Sequence, residues 1–322
     1  MKVTILGCGR WASLHAWYQA IVLGNDVLVW GLADDELYKS ISKTRKNKYL
    51  ELPESVNFTD SLKDAMNHAE YIIIAISAQG MPGFSKRVGA LNPKNKTFVL
   101  CMKGIINDTG ERLSQVLTKN VDKSNKITVW LGPGHAQELS KMQPNVMVID
   151  GDDPGVVEDV ASKFKSKLIR LYQGDDLIGV EIGAAAKNVM GITAGLLDGA
   201  GLSSLKGALM ARGVYEVAKL IVAMGGKQLT AYGMSHIGDF EATLFSQNSN
   251  NRRYGEMLYK GEKSEYLAEG VATSKALHLL AQKHGVEMPI SELCYRILHE
   301  DKCPDEGLKE LFMREHSKEF RF

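Results

Sequence analysis

Lys187 and Asn188 interrupt a small and apolar run, Glu181-Ile182-Gly183-Ala184-Ala185-Ala186-Lys187-Asn188-Val189-Met190-Gly191. Lysine is rarely buried unless it is paired or working. In a cleft the ammonium loses hydration, its pKa falls, and it becomes a usable proton donor. The alternative is a lysine that snorkels to the surface from an apolar helix. Lys103 follows the apolar run 98–102 and precedes Gly104. Gly132-Pro133-Gly134-His135-Ala136 follows the run 127–131 in the same way. If those runs are parallel strands, both segments lie at carboxyl ends, where open α/β sheets bind ligands. A Gly/Pro-rich loop brings backbone N–H groups close to such a ligand. The plainer reading of either is an ordinary β–α turn. Asp239 and Thr243 stand at i and i+4, on one face of a helical pattern.

A glycine fingerprint comes earlier. The run 3–6 ends in Gly7-Cys8-Gly9-Arg10-Trp11-Ala12, a G-x-G-x-x-A pattern between a strand and a helical pattern. The first glycine permits the tight turn, and the second lets a pyrophosphate approach the backbone. The small Ala12 lets helix pack on strand, and the helix start offers free N–H groups to phosphate. A dinucleotide is therefore expected at Gly7, Gly9, Arg10, Trp11 and Ala12. After the second strand come Gly31-Leu32-Ala33-Asp34-Asp35, with no Arg or Lys to grip a 2′-phosphate before Lys39 and Lys43. That tilts the cofactor to NAD, with NADP the second candidate. Asp34 and Asp35 equally suit helix caps. Ser249-Asn250-Asn251-Arg252-Arg253 is N-cap material before a helix. Its arginines also suit a phosphate.

The elements that must position these groups have two textures. Apolar, β-branched runs at 3–6, 27–30, 71–76, 98–102, 127–131, 146–149 and 168–171 are separated by segments of helical length. This predicts a parallel sheet covered on both faces, the doubly wound α/β pattern. From Val180 onward strand-like runs are rare, and helical spacing recurs at 208–224 and 274–284. The fold class is therefore α/β: a Rossmann-type domain over 1–178, then an all-α domain over 179–322. The 322 residues suit two domains at roughly 150 residues each. The 44% apolar and 24% charged composition is that of a soluble globular protein. With 39 basic and 38 acidic residues the net charge is +1, which argues against a nucleic-acid partner. Four cysteines without a Cys-x-x-Cys pair argue against a disulfide scaffold and a thiolate zinc site, and no metal is expected. No signal peptide or long uninterrupted apolar stretch is visible, so a cytoplasmic protein with no membrane partner is expected. The charged segment 309–322 is expected to fray.

Taken in order, these segments resemble the NAD(P)-dependent glycerol-3-phosphate dehydrogenases. Gly7-Cys8-Gly9-Arg10-Trp11 resembles the family's G-x-G-x-W opening, and Asn47-Lys48-Tyr49-Leu50 its N-x-x-Y-L segment. Lys103-Gly104 resembles its K-G motif. Gly132-Pro133-Gly134-His135-Ala136-Gln137-Glu138 looks like a variant of G-P-S-F-A-x-E. Lys187-Asn188 resembles the K-N helix, and residues 206–216 the K-A-A-L-x-x-R-G-x-x-E helix. Gly238-Asp239 with Thr243, and Glu269-Gly270-Val271 with Thr273, match two further motifs in order.

The resemblance implies interconversion of dihydroxyacetone phosphate and sn-glycerol 3-phosphate by a homodimer. It implies Lys187 as general acid/base, Lys103 as polariser of the carbonyl oxygen, and Asp239 with Thr243 as holders of the lysines. Ala136 and Glu269 would line the cofactor side. Gly132, Gly134, Asn188, Ser249, Asn250, Asn251 and Arg252 would meet the substrate. This sequence departs from its family at the phosphate turn. An arginine of S/G-R-N-R aligns with neutral Asn250. A charge-assisted arginine–phosphate contact is worth roughly 1.5–3 kcal/mol. The G-P-S-F-A loop carries Gly134 and His135 in place of the hydroxyl and the aromatic ring. The alternative reading is therefore a reductase of the same build acting on another small phosphorylated or nucleotide-linked ketone. A non-catalytic dinucleotide sensor is the third, opposed by the joint presence of Lys103, Lys187, Asp239 and Thr243.

Overall fold

The computed structural model describes residues 1–264, 268–314 and 319. Among the described residues, eight strands form one sheet: β1 (Lys2–Leu6), β2 (Asp26–Trp30), β3 (Asn57–Thr59), β4 (Tyr71–Ile74), β5 (Thr97–Leu100), β6 (Lys126–Leu131), β7 (Asn145–Gly151) and β8 (Ile169–Gln173). Their spatial order is β3-β2-β1-β4-β5-β6-β7-β8. The order reverses direction between β1 and β4, and a crevice opens at such a switch point. The parallel register aligns Leu6 with Trp30 and Ile74, and Ile74 with Leu100. The loops that begin at Gly7, Gly31, Ala75 and Cys101 therefore leave the sheet side by side.

Helices α1 (Arg10–Trp17), α2 (Glu36–Thr44), α3 (Leu62–His68), α4 (Met81–Ala90), α5 (Leu113–Thr118), α6 (Ala136–Leu139) and α7 (Pro154–Phe164) connect the strands. Val3 and Ile5 face one apolar core, and Leu6, Ile72 and Ile74 face the other. Near-continuous apolar strands are what a doubly covered sheet needs.

The remainder is helical. α8 (Leu177–Gly199) lies at its centre, with α9 (Lys206–Ala223), α10 (Asn250–Tyr259), α11 (Glu269–His284), α12 (Pro289–His299) and α13 (Pro304–Phe312) around it. By length and composition α8 could cross a membrane, yet 94% of its apolar window is buried inside the protein. Asp176 starts it, accepting the Gly179 N–H at 3.0 Å. Asp176 also accepts from the Lys227 N–H and the Thr230 hydroxyl, and its own N–H donates to Asp150 in β7. The first turns of α8, at Leu177, Val180 and Ala184, pack into the core under the sheet. Buried Glu181 accepts from Arg112 and from the Ser114 N–H and hydroxyl around the start of α5. One helix is thus anchored in both halves of the chain.

α10 packs backbone to backbone on α8. A Cβ at Gly255 would collide with the Ile192 carbonyl, and one at Gly195 with the Arg252 carbonyl. Bare glycines at the crossing bring Asn251 within reach of Asn188.

Three expectations needed correction. The sheet is not wholly parallel, because β7 runs antiparallel to β6. The connection between them holds only the four-residue α6, too little for a packed parallel crossover. β3 was not foreseen; it is a three-residue edge strand with one apolar residue, Phe58. Asp239 and Thr243 do not share a regular α-helix. Asp239 ends a 3₁₀ turn (Ile237–Asp239), and Thr243 lies in a π-helical turn (Glu241–Phe245). Residues 315–318 and 320–322, in the segment expected to fray, lie outside the described residues.

Candidate active site

A cleft of about 870 Å³ opens over the carboxyl ends of β1, β2, β4 and β5 and is closed on its far side by α8, α10 and α11. Its floor is the glycine loop. Gly7 holds φ +122°, and a Cβ there would strike the Ala75 carbonyl, so β1 and β4 require glycine at this turn. Above Gly9 a Cβ would meet nothing within 4 Å. Gly9 is the N-cap of α1 and has no side chain to occupy the first-turn N–H groups. The loop therefore presents unencumbered donors and open space to an anion, as a dinucleotide pyrophosphate requires. Arg10 stands beside it, braced by a 2.9 Å hydrogen bond to the Tyr49 hydroxyl.

The deep end holds two lysines on one carboxylate. Asp239 Oδ2 accepts from Lys103 Nζ at 2.6 Å and lies 3.0 Å from Lys187 Nζ. Lys103 also donates to the Gly132 carbonyl at 2.7 Å, and Lys187 to the Thr243 hydroxyl at 2.8 Å. Thr243 in turn donates to the Asp239 carbonyl at 2.7 Å. The π-helical turn aims that hydroxyl; such turns recur at functional sites. Lys103 Nζ lies 5.3 Å from the centre of the Trp11 ring. All four polar side chains are buried. Burial pulls the Lys187 pKa down to about 8; Asp239 opposes the fall and Lys103 adds to it. A lysine near 8 exchanges its proton readily at neutral pH.

Amides fix the frame. Asn188 donates to the Lys103 carbonyl at 3.2 Å, Asn251 donates to Asn188 at 3.1 Å, and Asn251 accepts from the Gly270 N–H at 2.9 Å. Glu269 opens α11 and reaches solvent through the cleft while protein surrounds it on several sides. That confinement pushes its pKa up, against the pull of Lys187, Lys103 and Arg10. Burial lowers the pKa of His135, which sits in the same field.

Two family models match the chain in succession: NAD-dependent glycerol-3-phosphate dehydrogenase N-terminus over residues 2–156, and its C-terminus over 176–309. The chain belongs to the NAD-dependent glycerol-3-phosphate dehydrogenase family. It is 34% identical to a Salinibacter ruber protein named glycerol-3-phosphate dehydrogenase [NAD(P)+] 2, covering 99% of this chain and 96% of that one. A Macrococcus caseolyticus glycerol-3-phosphate dehydrogenase [NAD(P)+] is 35% identical, covering 99% and 100%. The crystal structure of glycerol-3-phosphate dehydrogenase from Coxiella burnetii superposes with a TM-score of 0.91 at 28% identity, over 97% of this chain and 99% of that one.

In this member of the glycerol-3-phosphate dehydrogenase family, most of the residues singled out in the sequence line one cleft. Gly7, Gly9, Arg10, Trp11, Lys103, Gly134, Lys187, Asn188, Asp239, Thr243, Ser249, Asn250, Asn251 and Glu269 all do. Four do not. Ala12 is buried in the core beneath the loop, and Ala136 is buried at the start of α6. Gly132 acts through its carbonyl, on Lys103. Arg252 points the other way: its guanidinium pairs with Asp198 and Glu256 and donates to the Ser246 carbonyl. Ser249 caps α10 by accepting the Arg252 N–H. The sequence reading missed Ser77, Phe84, Arg87, Ala242 and Asn248 in the cleft wall. Ser77 had a signal, since it follows a strand end as Lys103 does.

A larger cavity of about 960 Å³ lies among α9, α12 and α13 and contains none of these groups. Size does not locate the chemistry here; the paired lysines and the glycine loop do.

Proposed function

We propose that this protein interconverts dihydroxyacetone phosphate and sn-glycerol 3-phosphate with NAD(H) or NADP(H). The observation that carries the proposal is the shared carboxylate of Lys103 and Lys187 at the deep end of a cleft floored by a dinucleotide loop. The nicotinamide, when bound, supplies or accepts the hydride. Gly7, Gly9, Arg10 and Trp11 would hold its dinucleotide, as the open space over Gly9 allows. Reduction places negative charge on the C2 oxygen of the ketone. The desolvated ammonium of Lys187 stabilises that charge and donates its proton there. Lys103, held by Asp239 and Gly132, polarises the same oxygen. In the reverse direction neutral Lys187 takes the hydroxyl proton. Asp239 and Thr243 keep the amine aimed, so little reorganisation accompanies the step.

Gly134, Asn188, Ser249, Asn250 and Asn251 would surround the substrate's remaining oxygens. Likeness over 99% of the chain to proteins named for glycerol 3-phosphate supports this substrate over another small ketone. The protein would act as a homodimer in the cytoplasm. Exposed Leu229 and Tyr232 on one turn of the helical half support the homodimer.

The test follows nicotinamide absorbance with NADH or NADPH and dihydroxyacetone phosphate. Rapid oxidation is expected, and Lys187→Ala should cut turnover about a hundred- to ten-thousandfold while still binding cofactor. Cofactor binding without oxidation in the unaltered protein would overturn the substrate assignment.

A further inference from the structure

The glycine loop and the end of β2 fix where the adenosine half of a dinucleotide lies. The group that normally selects between ribose hydroxyls and a 2′-phosphate follows β2, and here that stretch supplies no basic side chain to the cleft. Gly31 comes directly after β2, and a Cβ there would clash with the Tyr38 ring and lie 2.6 Å from the Cys8 sulfur. No acidic or basic side chain fits. Leu32 is neutral and lines the cleft. Asp35 also lines it, with its Oδ1 capping α2 by accepting the Leu37 N–H at 2.8 Å, and a carboxylate offers no attraction to a phosphate. Lys39 pairs with Glu36 at 2.7 Å, and neither it nor Lys43 is among the cleft residues.

A different segment brings the charge. Arg87, in the last turn of α4, lines the same end of the cleft beside Trp30, Gly31 and Leu32. Its guanidinium carbon lies 5.4 Å from the centre of the Trp30 ring. Trp30 is held in turn by a 3.0 Å hydrogen bond from its indole N–H to the Asp60 carbonyl. Arg87 is exposed, and among the described residues no carboxylate pairs with it. Stacking on an aromatic face orders a guanidinium while leaving its in-plane N–H groups free, the arrangement that suits phosphate.

We infer that Arg87 is the cofactor-specificity residue of this protein: its guanidinium takes the 2′-phosphate of NADP. The inference rests on the reading of the cleft as a dinucleotide site. It gives NADP(H) a charged partner that the residues after β2 do not provide.

The test is a binding titration of the full-length protein and of Arg87→Gln with NADPH, NADH, 2′,5′-ADP and 5′-AMP. The substitution should weaken NADPH and 2′,5′-ADP about ten- to a hundredfold. NADH and 5′-AMP should weaken by less than about threefold, since Arg87 meets only the extra phosphate. Arg87→Lys should retain part of the preference, because it keeps the charge and loses the fork. Equal weakening of all four would assign Arg87 to the adenine ring and overturn the inference, as would no change in any. Failure of the unaltered protein to bind any of them would overturn the dinucleotide reading itself, an outcome distinct from both.

Discussion

Lys103 and Lys187 converge on a single atom, Oδ2 of Asp239, from 2.6 and 3.0 Å. They are 84 residues apart in sequence and come from a sheet loop and from the central helix of the other half. Two ammoniums on one carboxylate leave the group with net positive charge in a buried place. An oxygen that acquires negative charge during reaction is what that place favours.

The pH profile should report Lys187. Reduction needs the protonated amine, so kcat/KM for ketone reduction should be level below about 8 and fall as pH rises through it. Oxidation of the alcohol needs the neutral amine and should rise through the same value. Stability carries the opposite mark of the same shift. The folded value lies below the unfolded one of 10.5, so burying charged Lys187 costs stability below about pH 8, and the cost fades as pH climbs toward 10.5. Steady-state rates in both directions across pH check the first part, and urea titrations check the second.

Asp239→Asn removes the carboxylate that opposes the fall in the Lys187 pKa. The break in the reduction profile should move below about 8. Two buried amines also lose their counter-charge, which should cost about 3–5 kcal/mol of folding stability. A profile that keeps its break in place would separate Lys187 from the titrating group.

Asn250→Arg should lower KM for dihydroxyacetone phosphate by about tenfold or more, because a charged contact to phosphate is added at a residue that lines the cleft. Steady-state kinetics against substrate concentration give the answer, and an unchanged KM would place the phosphate elsewhere.

Gly255→Ala tests the crossing of α8 and α10. The added methyl meets the Ile192 carbonyl, so α10 must move off. Overpacking of this kind costs about 1–3 kcal/mol. The Asn251–Asn188 hydrogen bond would lengthen with it, so kcat should fall along with the thermal midpoint. A variant as stable and active as the parent would show that the crossing tolerates displacement.

Much of this was present in the sequence. The glycine fingerprint, the apolar runs and the misplaced Lys187 each express a local rule: a turn that excludes side chains, strands covered on both faces, a charge in an apolar helix. Local rules leave marks at fixed spacing, so Gly7, Gly9, Lys103 and Lys187 were readable one at a time. Tertiary structure decided which of them meet. Spacing could not show that Asp239 reaches both lysines, since that requires a 3₁₀ turn, a π-helical turn and α8 anchored in both halves. It could not turn Arg252 away toward Asp198, because the partner that captures it lies 54 residues earlier. Nor could it bring Arg87 over Trp30, 57 positions apart, where α4 packs beside the end of β2. A chain's own neighbours write the pattern of its elements; the direction of a charged side chain is set by opposite charges and open space that only packing brings near.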